Sequence, residues 1–309
     1  MTTAHTLDTR SDPAIAALSG RLVAVLNTGS GRCDPQSEGQ IRAIFEAAAL
    51  PHATIVSVPT AQIDEAMANA AGSADVLVVL GGDGTIRTAV EKLRGRGGYL
   101  VPLPGGTMNL LPRALYGERT WQAALADTLA APEIHPVSGG TVNGGRAGTH
   151  CFFVAALLGA PTLWADAREA VRHGDVLAAA KRAVTAARRS FTEPLEYVFD
   201  GTLRGSAEAV AVVCPLISSV MDENEAGLEA AAIDTANAAD ALRLGFHALF
   251  DDWRDDPAVT RAKVTRAEVT GHGRLPVILD GERVRMGRSV IVEFAPVAFR
   301  ALVPRDAPA

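Results

Sequence analysis

The chain has 309 residues, with 29 basic and 35 acidic side chains for a formal charge of −6, and 48% of its residues are hydrophobic. That length holds one large domain or two modest ones, and so much apolar material builds a core, which excludes disorder as the main state. A pI near 5.7 excludes a surface built throughout for nucleic acid, so neither RNA nor DNA is expected as a partner.

Strand-like and helix-like segments alternate through the first half, the pattern of a parallel sheet with helical crossovers. Arg21 to Leu26 is a short aliphatic run that ends in the loop Asn27-Thr28-Gly29-Ser30-Gly31, and Gln40 to Leu50 then has helical composition. Thr54 to Val58 predicts a second strand, Pro59-Thr60 a turn and Ala61 to Ala71 a helix. Asp75 to Leu80 predicts a third strand, followed by Gly81-Gly82-Asp83-Gly84-Thr85 and a helix over Ile86 to Leu93. Tyr99 to Leu103 supplies a fourth, followed by Pro104-Gly105-Gly106-Thr107-Met108-Asn109 and another helix.

Beyond Ala131 the texture changes. Pro132, Pro136 and the glycine-rich run Ser138 to Gly148 predict a boundary and then hairpins. A helical stretch is expected over Thr162 to Ser190, and strands at Leu195 to Phe199, Ala209 to Val213, Ala262 to Thr270, Val277 to Leu279 and Ser289 to Phe294. Ala226 to Leu244 reads as a strand followed by a helix, although alanine gives little period to read. The expected architecture is an α/β nucleotide-binding domain over residues 20–135 and a β-rich, sandwich-like domain over residues 136–295.

Cys33, Cys151 and Cys214 are odd in number and form no CxxC pair, which supports neither a disulfide framework nor a zinc cluster. Residues 1–20 lack the basic start and long apolar core of a signal peptide. The apolar stretch Cys151 to Leu158 falls far short of the roughly 20 residues that span a bilayer. A cytoplasmic protein, soluble or peripheral at a membrane, is expected.

The motif Gly81 to Thr85 lies between a buried-type strand and a helix, where backbone N–H groups and the positive helix end favour anions. Glycine lets the backbone approach a phosphate closely. Asp83 is repelled by such a ligand unless it reaches a metal, a sugar hydroxyl or the proton of an attacking alcohol; the plainer reading makes it a helix N-cap. Four polar loops leave the carboxyl ends of consecutive strands, where open α/β sheets bind ligands. Neither GxxxxGK[ST] nor GxGxxG occurs, so the usual triphosphate loop and the dinucleotide fingerprint are both excluded.

The segments NTGSG, VLGGDGT and PLPGGTMN, in this order and spacing, resemble the catalytic domain of the diacylglycerol kinase and sphingosine kinase superfamily, closest to the bacterial soluble lipid kinases. The late segment Leu279-Asp280-Gly281-Glu282 and the run Phe299 to Pro304 resemble that family's C-terminal signature, so the likeness spans nearly the whole chain. The resemblance implies that residues 296–309 return to the first domain, and that ATP with nucleotide-borne Mg²⁺ serves as phosphate donor. It further implies nucleotide contacts at Asn27, Thr28, Gly29, Ser30, Gly31, Thr60, Gly81, Gly82, Asp83, Gly84, Thr85, Arg87, Gly106, Thr107 and Asn109, with Glu282 or Asp83 as the catalytic proton acceptor. For Glu282 alone, the residues read as a solvent-exposed glutamate after an Asp-Gly hairpin turn.

Two acids of the family pattern are absent, where Thr88 and Leu110 stand, and the Asp-Gly of a structural magnesium site in some relatives aligns loosely with Ala226-Gly227. No metal ligand is assigned, and Arg87 can supply positive charge near the phosphates instead. Between Trp164 and Ser190, Arg168, Arg172, His173, Lys181, Arg182, Arg188 and Arg189 stand among alanines, leucine and valines. That pattern fits a helix on an anionic membrane, or a packed helix with a solvated cationic face. The expected activity is phosphorylation of diacylglycerol or a related lipid, with a membrane surface as partner and a homo-oligomer allowed. A kinase of a soluble alcohol such as NAD, and a non-catalytic nucleotide- or lipid-binding regulator, are the alternatives.

Overall fold

The structure, a computed structural model, describes residues 13–159, 194–218, 220–222, 225–234 and 257–307. The helical stretch and basic cluster expected between Thr162 and Ser190, and the helix expected beyond Asp234, lie outside the described residues. The chain divides into two compact units, Met1–Val137 with Val297–Ala309, and Ser138–Pro296.

In chain order the first unit runs α1 (Pro13–Leu18), β1 (Leu22–Asn27), α2 (Ser37–Ala47), β2 (Thr54–Val58), α3 (Ile63–Ala71), β3 (Val76–Gly81), α4 (Asp83–Leu93), β4 (Tyr99–Pro104), α5 (Leu110–Tyr116) and α6 (Trp121–Ala130). Strands β1 and β3 are buried at every position, as aliphatic runs in a parallel sheet covered on both faces should be. Parallel pairing gives the order β2-β1-β3-β4, with the register placing Asn27 opposite Val58 and Gly81 opposite Pro104. The carboxyl ends of all four strands therefore lie along one edge, which is what positions the loops described below. Helix α4 begins at Asp83, earlier than the expected Ile86, because Gly82 is extended and Ile86 N–H already donates to Gly82 O at 3.0 Å.

Strand β5 (Pro132–Asn143) runs through the stretch in which the prolines marked a boundary. It forms a hairpin with β6 (Thr149–Phe152), and Gly140 is required there because a Cβ would lie 2.2 Å from the ring of Phe152. The second unit continues with β7 (Ala155–Gly159), β8 (Leu195–Phe199), β9 (Leu203–Ala207), β10 (Ala209–Val213), β11 (Leu228–Ile233), β12 (Val259–Val264), β13 (Arg266–Thr270), β14 (Pro276–Leu279), β15 (Glu282–Arg285) and β16 (Ser289–Pro304).

Two antiparallel layers form this unit. One has the order β12-β11-β10-β7-β14-β15, and in the other β13 pairs with both β8 and the start of β16, while β9 lies beyond β8. Val210, Val212, Leu158 and Leu279 of the first layer share one core with Tyr197, Phe199, Val269 and Val292 of the second, as in a sandwich. The single strand expected over Ala262 to Thr270 is two strands, one in each layer. The chain changes layer at Thr265, whose N–H and hydroxyl both donate to Asp200 Oδ1, at 3.0 and 3.1 Å.

Strand β16 starts in the second unit, and its end, from Val297, belongs to the first, where Ala301 pairs in parallel with Leu100 of β4. Tyr116 of α5 donates its hydroxyl to Leu302 O at 3.3 Å within the same unit. Among the described residues no helix is long and apolar enough to cross a membrane.

Candidate functional site

The loops at the carboxyl edge of the first unit's sheet are tied to one another through side chains that the strands deliver there. Asn27, the last residue of β1, is 4% exposed and bonds in three directions. Its Oδ1 accepts from Gly29 N–H at 3.0 Å and from the Thr60 hydroxyl at 2.9 Å, and its Nδ2 donates to Thr85 Oγ1 at 3.0 Å. One buried amide thus joins the loops after β1, β2 and β3. The loop after β4 closes the ring: Arg32 N–H donates to Gly105 O and Gly105 N–H donates to Gly81 O, each at 2.9 Å.

Glycine is needed where these loops meet. A Cβ on Gly105 would stand 2.7 Å from Gly81 N, one on Gly106 would stand 2.5 Å from Gly82 Cα, and one on Gly81 would meet Thr85 Cβ at 2.5 Å. The two glycine pairs therefore pack backbone against backbone, a fit that any larger residue would break. Asn109 shapes the same loop. Held at φ 51°, a left-handed conformation that asparagine tolerates, it accepts from Gly106 N–H at 2.7 Å and donates to Gly106 O at 2.8 Å. Both polar ends of its side chain serve the loop, and it is 1% exposed.

Asp83, the first residue of α4, turns its carboxylate to a different helix. Oδ2 accepts from Leu110 N–H at 3.3 Å and Oδ1 from Leu111 N–H at 3.2 Å, so it satisfies orphan donors at the start of α5. Gly82, not Asp83, is the N-cap of α4. Burial pushes the Asp83 carboxyl up from its ordinary range, against the pull of the backbone donors around it.

The remaining predicted positions divide by exposure. Thr28, Gly29, Gly31, Thr60 and Thr107 are exposed along the loop edge, and Ser30, Gly82 and Gly84 are half-buried. Arg87 is 7% exposed on the buried side of α4, and Thr88 donates its hydroxyl back to Gly84 O at 3.1 Å. Among the described residues no group of three or more His, Cys, Asp or Glu is placed to hold a metal ion.

Glu282 belongs to the second unit. Asp280 (φ 50°) and Gly281 (φ 88°) make the tight turn between β14 and β15, and Glu282 opens β15 as an exposed residue paired with Leu279. The turn is anchored in a way that the sequence does not reveal. The Asp280 carboxylate accepts from three successive N–H groups, Phe153 at 2.9 Å, Val154 at 2.8 Å and Ala155 at 3.1 Å, while Asp280 N–H donates to Ala155 O at 3.0 Å. This nest of amides fixes the backbone from which Glu282 projects. Only the Asp-Gly-Glu spacing hinted at it.

Fold and loops together define a protein with a parallel α/β unit, glycine-rich at the carboxyl edge of its sheet, and an antiparallel β unit. Residues 21–142 match the model of the diacylglycerol kinase catalytic domain. Solved structures agree on the fold. A diacylglycerol kinase of Bacillus anthracis str. Sterne is 15% identical, with 93% of this chain and 97% of that one covered and a TM-score of 0.65. A second protein of that organism, assigned to the same activity by inference, is 16% identical over 93% of this chain and 98% of its own, with a TM-score of 0.69.

Proposed function

We propose that the chain is an ATP-dependent lipid kinase that transfers the γ-phosphate of Mg²⁺-bound ATP to the hydroxyl of diacylglycerol or a related glycerolipid. The observation that carries this reading is the ring of four strand-end loops, locked through Asn27, Thr60, Thr85 and the facing glycines. Phosphoryl transfer needs positioning and charge stabilisation above all, and such a ring offers fixed backbone donors beside the α4 N-terminus without side chains in the way.

The triphosphate sits on Gly81 to Thr85, with Asn27 to Gly31, Thr60, Arg87 and Gly106 to Asn109 around it. The chemistry left to the protein is removal of the alcohol proton. Glu282 performs this step, with Asp83 as the alternative, because both Asp83 oxygens already receive α5 amides. The magnesium ion is read as carried in by the nucleotide, with no protein ligand assigned to it.

Incubation with labelled ATP, Mg²⁺ and a panel of lipids and soluble alcohols tests the reading. A phospholipid product supports it, a soluble product replaces it with a soluble-alcohol kinase, and binding without transfer makes the chain a regulator. In the active protein Glu282→Gln should lower kcat by about 10²–10⁴-fold with the nucleotide KM little changed. Full turnover by this variant would remove Glu282 from the reaction.

A further inference from the structure

Helix α5 starts without a cap of its own. Its N-cap residue Asn109 spends its side chain on Gly106, accepting from the N–H and donating to the carbonyl, and makes no side-chain bond into the helix. Among the first helical positions Pro112 has no N–H, and Arg113 N–H donates to Asn109 O at 2.9 Å. Leu110 N–H and Leu111 N–H are left, and both end on the Asp83 carboxylate. The cap of α5 is therefore supplied by α4, from the turn proposed to hold the triphosphate.

Consecutive residues of that turn also fix both ends of the loop between β4 and α5. At the start of the loop Gly106 packs on Gly82, where a Cβ would stand 2.5 Å from Gly82 Cα. At its end Asp83 holds Leu110 and Leu111, and α5 buries Leu111, Pro112, Leu115 and Tyr116 in the core of the unit. Between these anchors Asn109 is buried, whereas Thr107 and Met108 are exposed. N–H donors on both oxygens favour the charged carboxylate over the protonated acid, the reverse of what accepting a proton requires.

We propose that Asp83 is a positioning residue for nucleotide binding: its carboxylate clamps the loop Gly106 to Asn109 onto the turn Gly81 to Thr85, so that Thr107 is held where the phosphates lie. Glu282 is then left as the acceptor of the alcohol proton. The inference rests on the kinase reading for its ligand, and it adds what Asp83 does there.

Equilibrium binding of the β,γ-imido analogue of ATP with Mg²⁺, alongside steady-state transfer, tests it in the full chain. Asp83→Asn keeps the shape and one acceptor oxygen but turns an amide donor toward backbone N–H groups. It should weaken analogue binding about tenfold and raise the nucleotide KM with it, within the range of about 5- to 150-fold usual for coupled sites, while kcat falls less. Thr107→Ala should weaken binding about two- to tenfold, the loss of one hydrogen bond. Adding it to Asp83→Asn should cost less than about twofold more, because both changes act through one loop. A further measurement needs no variant: if the clamp favours the nucleotide, the nucleotide favours the clamp, so bound analogue should slow hydrogen exchange at the Leu110 and Leu111 amides.

The proposal is overturned if Asp83→Asn keeps its analogue affinity while kcat falls about 10²–10⁴-fold, which marks a lost base. It is equally overturned if Asp83→Asn alters neither quantity, if the two substitutions act independently, if bound analogue leaves the two amides unprotected, or if the unaltered protein binds no analogue. Weakened analogue binding by Asp83→Asn, with no transfer by the unaltered protein to any lipid or alcohol, sinks the kinase reading and leaves the clamp standing. Transfer and analogue affinity both intact in Asp83→Asn do the reverse.

Discussion

Asp83 is held between opposing influences, since burial raises its carboxyl while donors from the start of α5 stabilise the charged form, and burial prevails. A carboxyl raised in the native protein binds a proton more readily there than in the unfolded chain. Its contribution to stability is therefore complete below the unfolded value, about 4, and is lost as pH rises through the raised native value. Asp83→Asn cannot ionise, so the unaltered protein should gain stability relative to this variant as pH falls from 7 toward the carboxylate range. Urea unfolding of both proteins across that range checks it, and a gap that is constant or moves the other way refutes it. The sequence made Asp83 conspicuous, but its partners lie 27 and 28 residues away, a separation no local spacing rule can bridge. Asp280 was still less legible, because its three amide partners lie at least 125 residues earlier in the chain.

At the level of elements, the four parallel strands and their loops were readable because each is a compact aliphatic run ending in glycine or a turn pair. The closeness of the loops was not readable. It depends on the register that sets Gly81 beside Pro104, and so on glycine backbones in contact. Gly106→Ala puts a Cβ 2.5 Å from Gly82 Cα, backbone that cannot swing aside, and should cost about 1–3 kcal/mol and weaken binding of an ATP analogue. Gly31→Ala meets nothing within 4 Å and should change stability by less than about 0.5 kcal/mol. Urea midpoints for the pair decide the matter, and equal midpoints would show that the glycine contact does not constrain the ring. The two strands joined at Thr265 escaped the sequence for a related reason. The residues of β12 and β13 are uniformly strand-like, and the turn between them is set by Asp200, far away in sequence.

For the whole molecule, the change of composition near residues 131–148 marks a transition, but prolines and glycines in that stretch belong to a hairpin, and β5 runs through the boundary between the units. The first unit is completed from the far end of the chain. Ala301 and Leu302 are fully buried, Val303 and Phe299 nearly so, and Arg305 N–H donates to Ala131 O at 2.9 Å. Removing everything after Pro296 should therefore leave β4 with one neighbour and raise amide hydrogen exchange across Tyr99–Pro104 by orders of magnitude, while the core of the second unit keeps most of its protection. Unchanged exchange in β4 would mean that the terminal segment adds nothing to that sheet.

The path of β16 also bears on biosynthesis. A ribosome delivers β4 long before it delivers the strand that flanks it, so the nascent sheet waits with a raw, apolar margin while some two hundred intervening residues are made. Premature termination anywhere in that interval would release a polypeptide whose unfinished margin invites pairing with its own kind.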